Sequence, residues 1–234
     1  MRCLVVGAAS GIGRATVELL NATAGQVVAA DLPEARSTTD KCEVSRVPID
    51  VTDEVSVRSA IEQTLSLTGG LDAVVNTAGV LGTVQPSATE TSEDFERLVR
   101  INLVGAFTLS RAVLPVMAER GFGRLVHFSS TAGKEGVPGM TGYSASKAGV
   151  IGMVKALAQE YATTGVTVNA VAPGKVDTPL IGAHPPTPDD LARIPMRRLG
   201  TAQEAAELVK YVISPAASYT TGSVFDLSGG RASY

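Results

Sequence analysis

Short apolar runs and longer stretches of helical period alternate along this chain from beginning to end. Arg2–Val6 is apolar at nearly every position and ends in Gly7-Ala8-Ala9-Ser10-Gly11-Ile12-Gly13; Ile12, Ala15, Thr16, Leu19 and Leu20 then recur on one side of a helix. The strand signal returns at 26–30, 47–50, 71–76, 123–129, 166–171 and 223–227. Helical patterns lie between these runs, from about Asp53, from about Ser92, around Tyr143, and after Thr201-Ala202-Gln203-Glu204, which has the spacing of a capping box. Strands that are apolar throughout are covered on both faces, and strand–helix alternation predicts a mainly parallel sheet with helices on each side. The expectation is an α/β protein: one domain over 1–234, a doubly wound parallel sheet of about seven strands, with no internal repeat, low-complexity tract or linker.

Composition narrows this picture. A chain of 234 residues can bury a full core, and with 44% hydrophobic residues and no Trp that core must be built from small aliphatic side chains. The net charge of −3 and the lack of a dense basic run give no electrostatic case for nucleic acid or an anionic membrane. Cys3 and Cys42 make no disulfide framework, no metal-ligand spacing is present, and Cys3 reads as a small core residue. The first strand is cut short by Gly7, and the apolar neighbourhood 99–116 is interrupted by Arg100, Asn102 and Arg111, so neither a secretory signal nor a membrane span is expected. A soluble, cytoplasmic protein follows as the expectation.

The chemistry-bearing residues lie where the predicted strands end, which is where such sheets collect ligands. A turn of the form Gly7-x-x-x-Gly11-x-Gly13 opens onto a helix N-terminus, whose free N–H groups and dipole favour a diphosphate. Asp31 ends the second strand, twenty residues beyond Gly11, where a carboxylate can accept from an adenosine ribose and repel a 2′-phosphate. NAD is thereby favoured over NADP, with Arg36 close by in sequence acting against the preference. A glycine turn without a cofactor and an ordinary strand-end acid are the plain alternatives. Tyr143 and Lys147, four residues apart, share one helix face, and Ser130 stands thirteen residues upstream. A phenol beside an ammonium can serve as a proton-transfer base, because a fixed cation favours the phenolate. Alone, that pair is common on solvated helices; its place on the rim that carries the glycine turn is what gives it weight.

Over essentially its whole length the chain resembles the short-chain dehydrogenase/reductase family, of Rossmann type. The resemblance is carried by Gly7, Gly11 and Gly13, Asp31, Asp50-Val51, Asn76-x-Ala78-Gly79, Asn102, Ser130, Tyr143, Lys147, and Pro173-Gly174 with Thr178. It implies an NAD(P)-dependent oxidoreductase, a homodimer or homotetramer, that interconverts a secondary alcohol and a ketone. Tyr143 would be the acid/base, Ser130 would hydrogen-bond the substrate oxygen, and Lys147 would bind the nicotinamide ribose and lower the tyrosine pKa. Asn102 would hold a relay water. Ser10 and Ile12 would join the glycines around the diphosphate, Asp50 and Val51 would contact adenine, and the segment from Asn76 to Gly79 would support the sheet beside the adenosine ribose. Val176 and Thr178 would anchor the carboxamide.

Two departures from the family pattern stand out. Val6 replaces the usual Thr before Gly7, which removes a side-chain hydrogen bond from the turn. Only eighteen residues separate Asp31 from Asp50, so a crossover helix there must be short or missing. Ser129 competes with Ser130, Asn102 could be a buried helix residue bonded locally, His127 reads as a packed histidine, His184 as a loop residue, and Tyr161 as surface or interface. The substrate pocket is expected from Val80, Leu81, 132–140 and a short lid at 179–195. Lys134 and Glu135 beside it either point to a small polar substrate such as a sugar acid, polyol or hydroxy acid, or simply face solvent. A 3-oxoacyl thioester reductase and a non-catalytic NAD-binding protein are the competing functions.

Overall fold

The computed structural model describes residues 1–23, 25–35, 44–182 and 185–232. Arg36, Cys42 and His184 lie outside the described residues, as do the last two of the chain. The strands are β1 (Arg2–Val6), β2 (Gln26–Asp31), β3 (Ser45–Pro48), β4 (Ala73–Asn76), β5 (Gly123–Phe128), β6 (Val166–Pro173), β7 (Val176–Asp177), β8 (Gly200–Thr201) and β9 (Val224–Leu227). Seven of them form one sheet in the order β3-β2-β1-β4-β5-β6-β9, every pair parallel, while β7 and β8 pair separately. The direction of winding reverses between β1 and β4, which opens a crevice beyond their carboxyl ends.

The helices are α1 (Gly11–Thr23), α2 (Glu54–Thr68), α3 (Ser92–Val99), α4 (Gly105–Glu119), α5 (Thr131–Glu135), α6 (Thr141–Glu160), α7 (Pro179–Gly182), α8 (Pro188–Ala192) and α9 (Ala202–Ile213). They cover both faces, and the two-residue period of each strand decides which side chain meets which helices. Leu4, Val6, Val28, Ala30 and Val74 point into the layer with Ile61 of α2, Leu109 and Val113 of α4, and Val150 and Val154 of α6. Their neighbours Cys3, Val5, Val27, Ala29 and Val75 point the other way, against Val17 and Leu20 of α1 and Val209 and Ile213 of α9. Cys3 is thus a core residue, and burial pushes its thiol up to about 12.

The expected capping box forms at Thr201 and Glu204, each side chain bonded to the other's backbone N–H. Between β2 and β3, the described residues include no helix. β3 ends earlier than the sequence pattern suggests because Asp50 turns the chain, accepting from the Thr52 N–H and hydroxyl at 2.9 and 2.7 Å. The stretch Ser92–Glu119 is long and apolar enough to cross a membrane by length and composition, but half of its most apolar window is buried inside the protein. A single π-helical turn, Arg100–Val104, joins α3 to α4 within it.

Candidate active site

A cleft of about 1180 Å³ runs along the carboxyl ends of the strands, from Asp31, Glu34 and Asp50 at one end to Arg193 and Arg231 at the other. Its floor is the turn between β1 and α1. Gly7 is held at φ +81°, and a Cβ on Gly13 would lie 2.0 Å from the Gly7 carbonyl oxygen, so this turn can close only with glycine at both places. Thr77 supports it: its hydroxyl donates to Val6 O at 2.8 Å and lies 3.1 Å from Gly7 O. The hydrogen bond missing from Val6 is therefore supplied across the sheet by β4's extension. The N–H groups of Gly11, Ile12 and Gly13 open α1 without helical carbonyl partners and no acid occupies that first turn, as a diphosphate requires.

Asp31 sits where the sequence places it, but it is already at work in the fold. One carboxylate oxygen accepts from Ala9 N–H at 2.7 Å and the other from Leu32 N–H at 2.8 Å. Each oxygen keeps a lone pair for a ribose hydroxyl, so structural and binding roles are compatible. Ser10, Val51, Ala78 and Gly79 line the same stretch, and Pro173, Gly174, Val176 and Thr178 line the opposite wall.

Two predicted residues do not line the cleft. Asn76 is buried behind it, donating to His127 Nδ1 at 3.1 Å and accepting from Ala78 N–H at 3.2 Å, so it shapes the lining at Ala78 without reaching it. The Asn102 side chain, buried in the π-helical turn, accepts from Val80 N–H at 2.9 Å and donates to Val80 O and Ser146 Oγ at 3.0 and 3.1 Å. These are long-range bonds, not local helix bonds, and they spend its amide protons away from Lys147. A Cβ on Gly79 would lie 2.9 Å from Asn102 Oδ1 and 3.2 Å from Lys147 Nζ, so these two polar groups bracket one small space.

Ser130, Tyr143 and Lys147 meet on the wall beyond β5. Ser130 caps α5, accepting from Ala132 N–H at 3.1 Å, and its hydroxyl also hydrogen-bonds the Tyr143 side chain. Ser129 is separated from it in role: buried, its hydroxyl donates to Lys147 O at 2.8 Å and ties α6 to the strand end. A Cβ on Gly133 would come within 2.6 Å of the Lys147 carbonyl carbon, so only glycine lets α5 approach α6 closely enough to bring the two catalytic candidates together. The N-terminus of α6 has no side-chain cap of its own; Glu90 supplies one from 52 residues away, accepting from Gly142 N–H at 3.1 Å.

Burial raises the Tyr143 pKa above its ordinary 10.0, with the Ser130 hydrogen bond pulling the other way. Lys147 Nζ donates to Phe128 O at 2.8 Å and lies 5.8 Å from the centre of the tyrosine ring. Burial also pulls Lys147 down to about 8. His127 is a packed histidine, as expected. It accepts from Asn76 at Nδ1 and so donates from Nε2 to Ser110 Oγ at 2.8 Å, and burial followed by the Lys147 charge depresses it to about 3.

The substrate end is lined by Val80, Leu81, Ala132, Val137, Met140, Leu180 and Ile181, within the segments expected, and α7 and α8 lie over it as a short lid. Its charge comes from elsewhere. Lys134 is buried and faces Asp226 at 3.6 Å, and Glu135 is paired with Arg231 at 3.3 Å, so neither lines the cleft. Arg231 and Arg193 do, while Lys175 is paired with Asp190 at 3.2 Å. Sequence reasoning gave no individual role to Thr77, Glu90, Gly133 or the two arginines, although Thr77 lay in the 76–79 segment and Gly133 and Arg193 in the expected pocket segments. The placement of Arg231 directly after Gly229-Gly230 was the one available signal.

Residues 7–232 match the family model described as enoyl-(acyl carrier protein) reductase. The 2-dehydro-3-deoxy-L-rhamnonate dehydrogenase (NAD(+)) of a Sphingomonas species is 38% identical, over 100% of this chain and 96% of its own length. The 3-oxoacyl-[acyl-carrier-protein] reductase of Thermotoga maritima is 36% identical over 97% of this chain and 96% of its own. Among solved structures, the 3-ketoacyl-(acyl-carrier-protein) reductase of Brucella melitensis complexed with NADH superimposes with a TM-score of 0.92 at 30% identity, covering 98% of this chain and 97% of that one.

Proposed function

The chain belongs to the short-chain dehydrogenase/reductase family, and from that membership we propose a dehydrogenase that prefers NAD and oxidises a secondary alcohol on a small polar acid such as a sugar acid. It is an oxidoreductase acting on CH–OH groups. The observation that carries the mechanism is that Ser130, Tyr143 and Lys147 line the same cleft as the open amino end of α1. A nicotinamide dinucleotide bound there would supply the hydride acceptor or donor.

In this reading the N–H groups of Gly11, Ile12 and Gly13 hold the diphosphate and Asp31 the adenosine ribose, with Asp50 and Val51 beside adenine. Val176 and Thr178 hold the carboxamide end. Ser130, which hydrogen-bonds Tyr143, would turn its proton to the substrate oxygen and steady charge developing there. Tyr143 takes the alcohol proton in one direction and returns it in the other. Lys147, anchored to the Phe128 carbonyl, provides the ribose contact and the positive charge beside the phenol. Because burial keeps Tyr143 protonated at neutral pH, carbonyl reduction finds its acid ready, whereas alcohol oxidation needs the phenolate and so rises toward alkaline pH.

NAD preference rests on Asp31 and Glu34 at the adenosine end, where a 2′-phosphate would meet carboxylates. A homodimer or homotetramer is part of the proposal, supported by Val104 and Phe107, exposed by 42% and 47% on the π turn and α4. A cytoplasmic site of action completes it. The relative from Thermotoga maritima supports a second reading, reduction of a 3-oxoacyl thioester.

The test is Tyr143→Phe assayed for NAD reduction over sugar acids, polyols and hydroxy acids, with NADP and a 3-oxoacyl thioester in parallel. Turnover should vanish while NADH affinity stays nearly unchanged. Full activity in the variant would rule out the mechanism.

A further inference from the structure

Four charged side chains on the cleft wall have no place in the reading above: Lys175 and Asp190, which pair with each other, and Arg193 and Arg231. Of the two arginines, Arg231 is the better defined. The chain leaves β9 and turns on Gly229 and Gly230, at φ +66° and +88°. The tail is then pinned: Ala232 N–H donates to Ser228 Oγ at 3.0 Å, and that hydroxyl donates to Asp226 Oδ1 at 2.6 Å. The other Asp226 oxygen lies 3.6 Å from Lys134 Nζ, which fastens the tail's base to α5, the helix that Ser130 caps.

Held this way, Arg231 lines the cleft with its side chain 19% exposed, and its Nε donates to Glu135 Oε2 at 3.3 Å. Among the described residues, its two terminal nitrogens have no protein partner. A planar guanidinium fixed along one edge, with the opposite pair of N–H groups free, fits a carboxylate in two parallel hydrogen bonds. Arg193 is brought to the same end of the cleft, since Met196 N–H, three residues on, donates to Gly229 O at 3.2 Å. It adds positive charge that offsets Glu135.

We infer that Arg231 is the specificity-determining residue for an anionic substrate, binding the carboxylate of an oxo or hydroxy acid whose carbon oxygen faces Ser130 and Tyr143. This rests on reading the cleft as a dehydrogenase site. Glu135 is the last residue of α5 and Ser130 its cap, roughly 7–8 Å apart along the helix at its rise per residue, so an acid held by Arg231 beside Glu135 and reacting beside Ser130 is a short-chain one.

The test is calorimetric binding of levulinate (4-oxopentanoate) and of its methyl ester to the enzyme saturated with NADH, in wild type, Arg231→Met and Arg231→Lys. The ester keeps the ketone and loses the charge. Wild type should bind levulinate about tenfold or more tightly than the ester, the scale of a charged hydrogen-bonded pair. Arg231→Met should erase the preference with NADH affinity unchanged, and Arg231→Lys should keep part of it. Equal binding of the two probes in wild type, no measurable binding of either, or a preference that survives Arg231→Met would overturn the assignment. Failure of the dehydrogenase reading would look different: the levulinate preference intact, but no secondary alcohol or ketone turned over.

Discussion

The buried imidazole of His127 makes the protein's stability depend on pH in a way that can be worked out in advance. Its ordinary pKa of 6.5 falls to about 3 in the folded chain, because burial and then the Lys147 charge disfavour the imidazolium. The hydrogen bonds agree, since Nδ1 must accept from Asn76 and protonation would set two donors against each other. A depressed folded pKa means that the unfolded chain binds the proton first. The contribution is therefore fully present above 6.5 and is lost as the pH falls toward 3. A pH of 5 lies about 1.5 units below the unfolded pKa of 6.5, so the unfolded imidazole is protonated while the native one is still neutral, a loss of about 2 kcal/mol. The comparison is His127→Gln, whose amide can accept from Asn76 and donate to Ser110 but does not titrate. Denaturant unfolding at pH 7 and pH 5 gives the stability change for each protein, and all other groups, His184 included, are common to both. Wild type should lose about 2 kcal/mol more than the variant over that interval. Equal losses would refute the assignment of a neutral buried His127.

Asp31→Asn keeps an acceptor for Ala9 N–H but removes the charge, so the preference for NAD over NADP should narrow by about tenfold while NAD affinity changes little; Asp31→Ala should narrow it and also weaken NAD by loosening the loop. An unchanged cofactor ratio in both variants would refute the role. Glu90→Ala removes the cap of α6 and should cost about 1 kcal/mol in thermal unfolding, with kcat falling and NADH affinity kept. A wild-type kcat and melting point would show that Gly142 needs no such partner.

The parts of this molecule legible in its sequence are those written in local pattern. Fully apolar strands, the Gly7–Gly13 spacing, Asp31 at a strand end and the four-residue step from Tyr143 to Lys147 all reflect geometry within one or two elements, and the structure places them accordingly. What escaped is what depends on chain segments far apart. Thr77 buttressing the glycine turn after β1, Glu90 capping a helix 52 residues away and Gly133 lying on the backbone of α6 leave no periodic trace. The charges at the substrate end were misread for the same reason. Lys134 and Glu135 adjoin the pocket in sequence, but an ion pair with Asp226 buries one and one with Arg231 occupies the other. Asn102 was placed correctly in the chain, yet its bonds run to Val80 and Ser146.

The arrangement of charge across the cleft has a consequence for how its two ends can vary. Asp31 ends β2, and Arg231 follows β9, five strands away in the sheet order. At the usual spacing between neighbouring strands, that is on the order of 24 Å, well beyond a screening length of about 8 Å at physiological salt. The acidic adenosine end and the basic substrate end therefore act as separate fields. Carboxylates at one end can exclude a phosphorylated ribose without repelling an anionic substrate at the other. If the two assignments hold, a charge change at the end of β2 should alter the dinucleotide preference alone, and one in the tail after β9 the substrate preference alone. Between them Ser130, Tyr143 and Lys147 are held by α5 and α6, and among the described residues Lys147 makes no ion pair to either end's carboxylates.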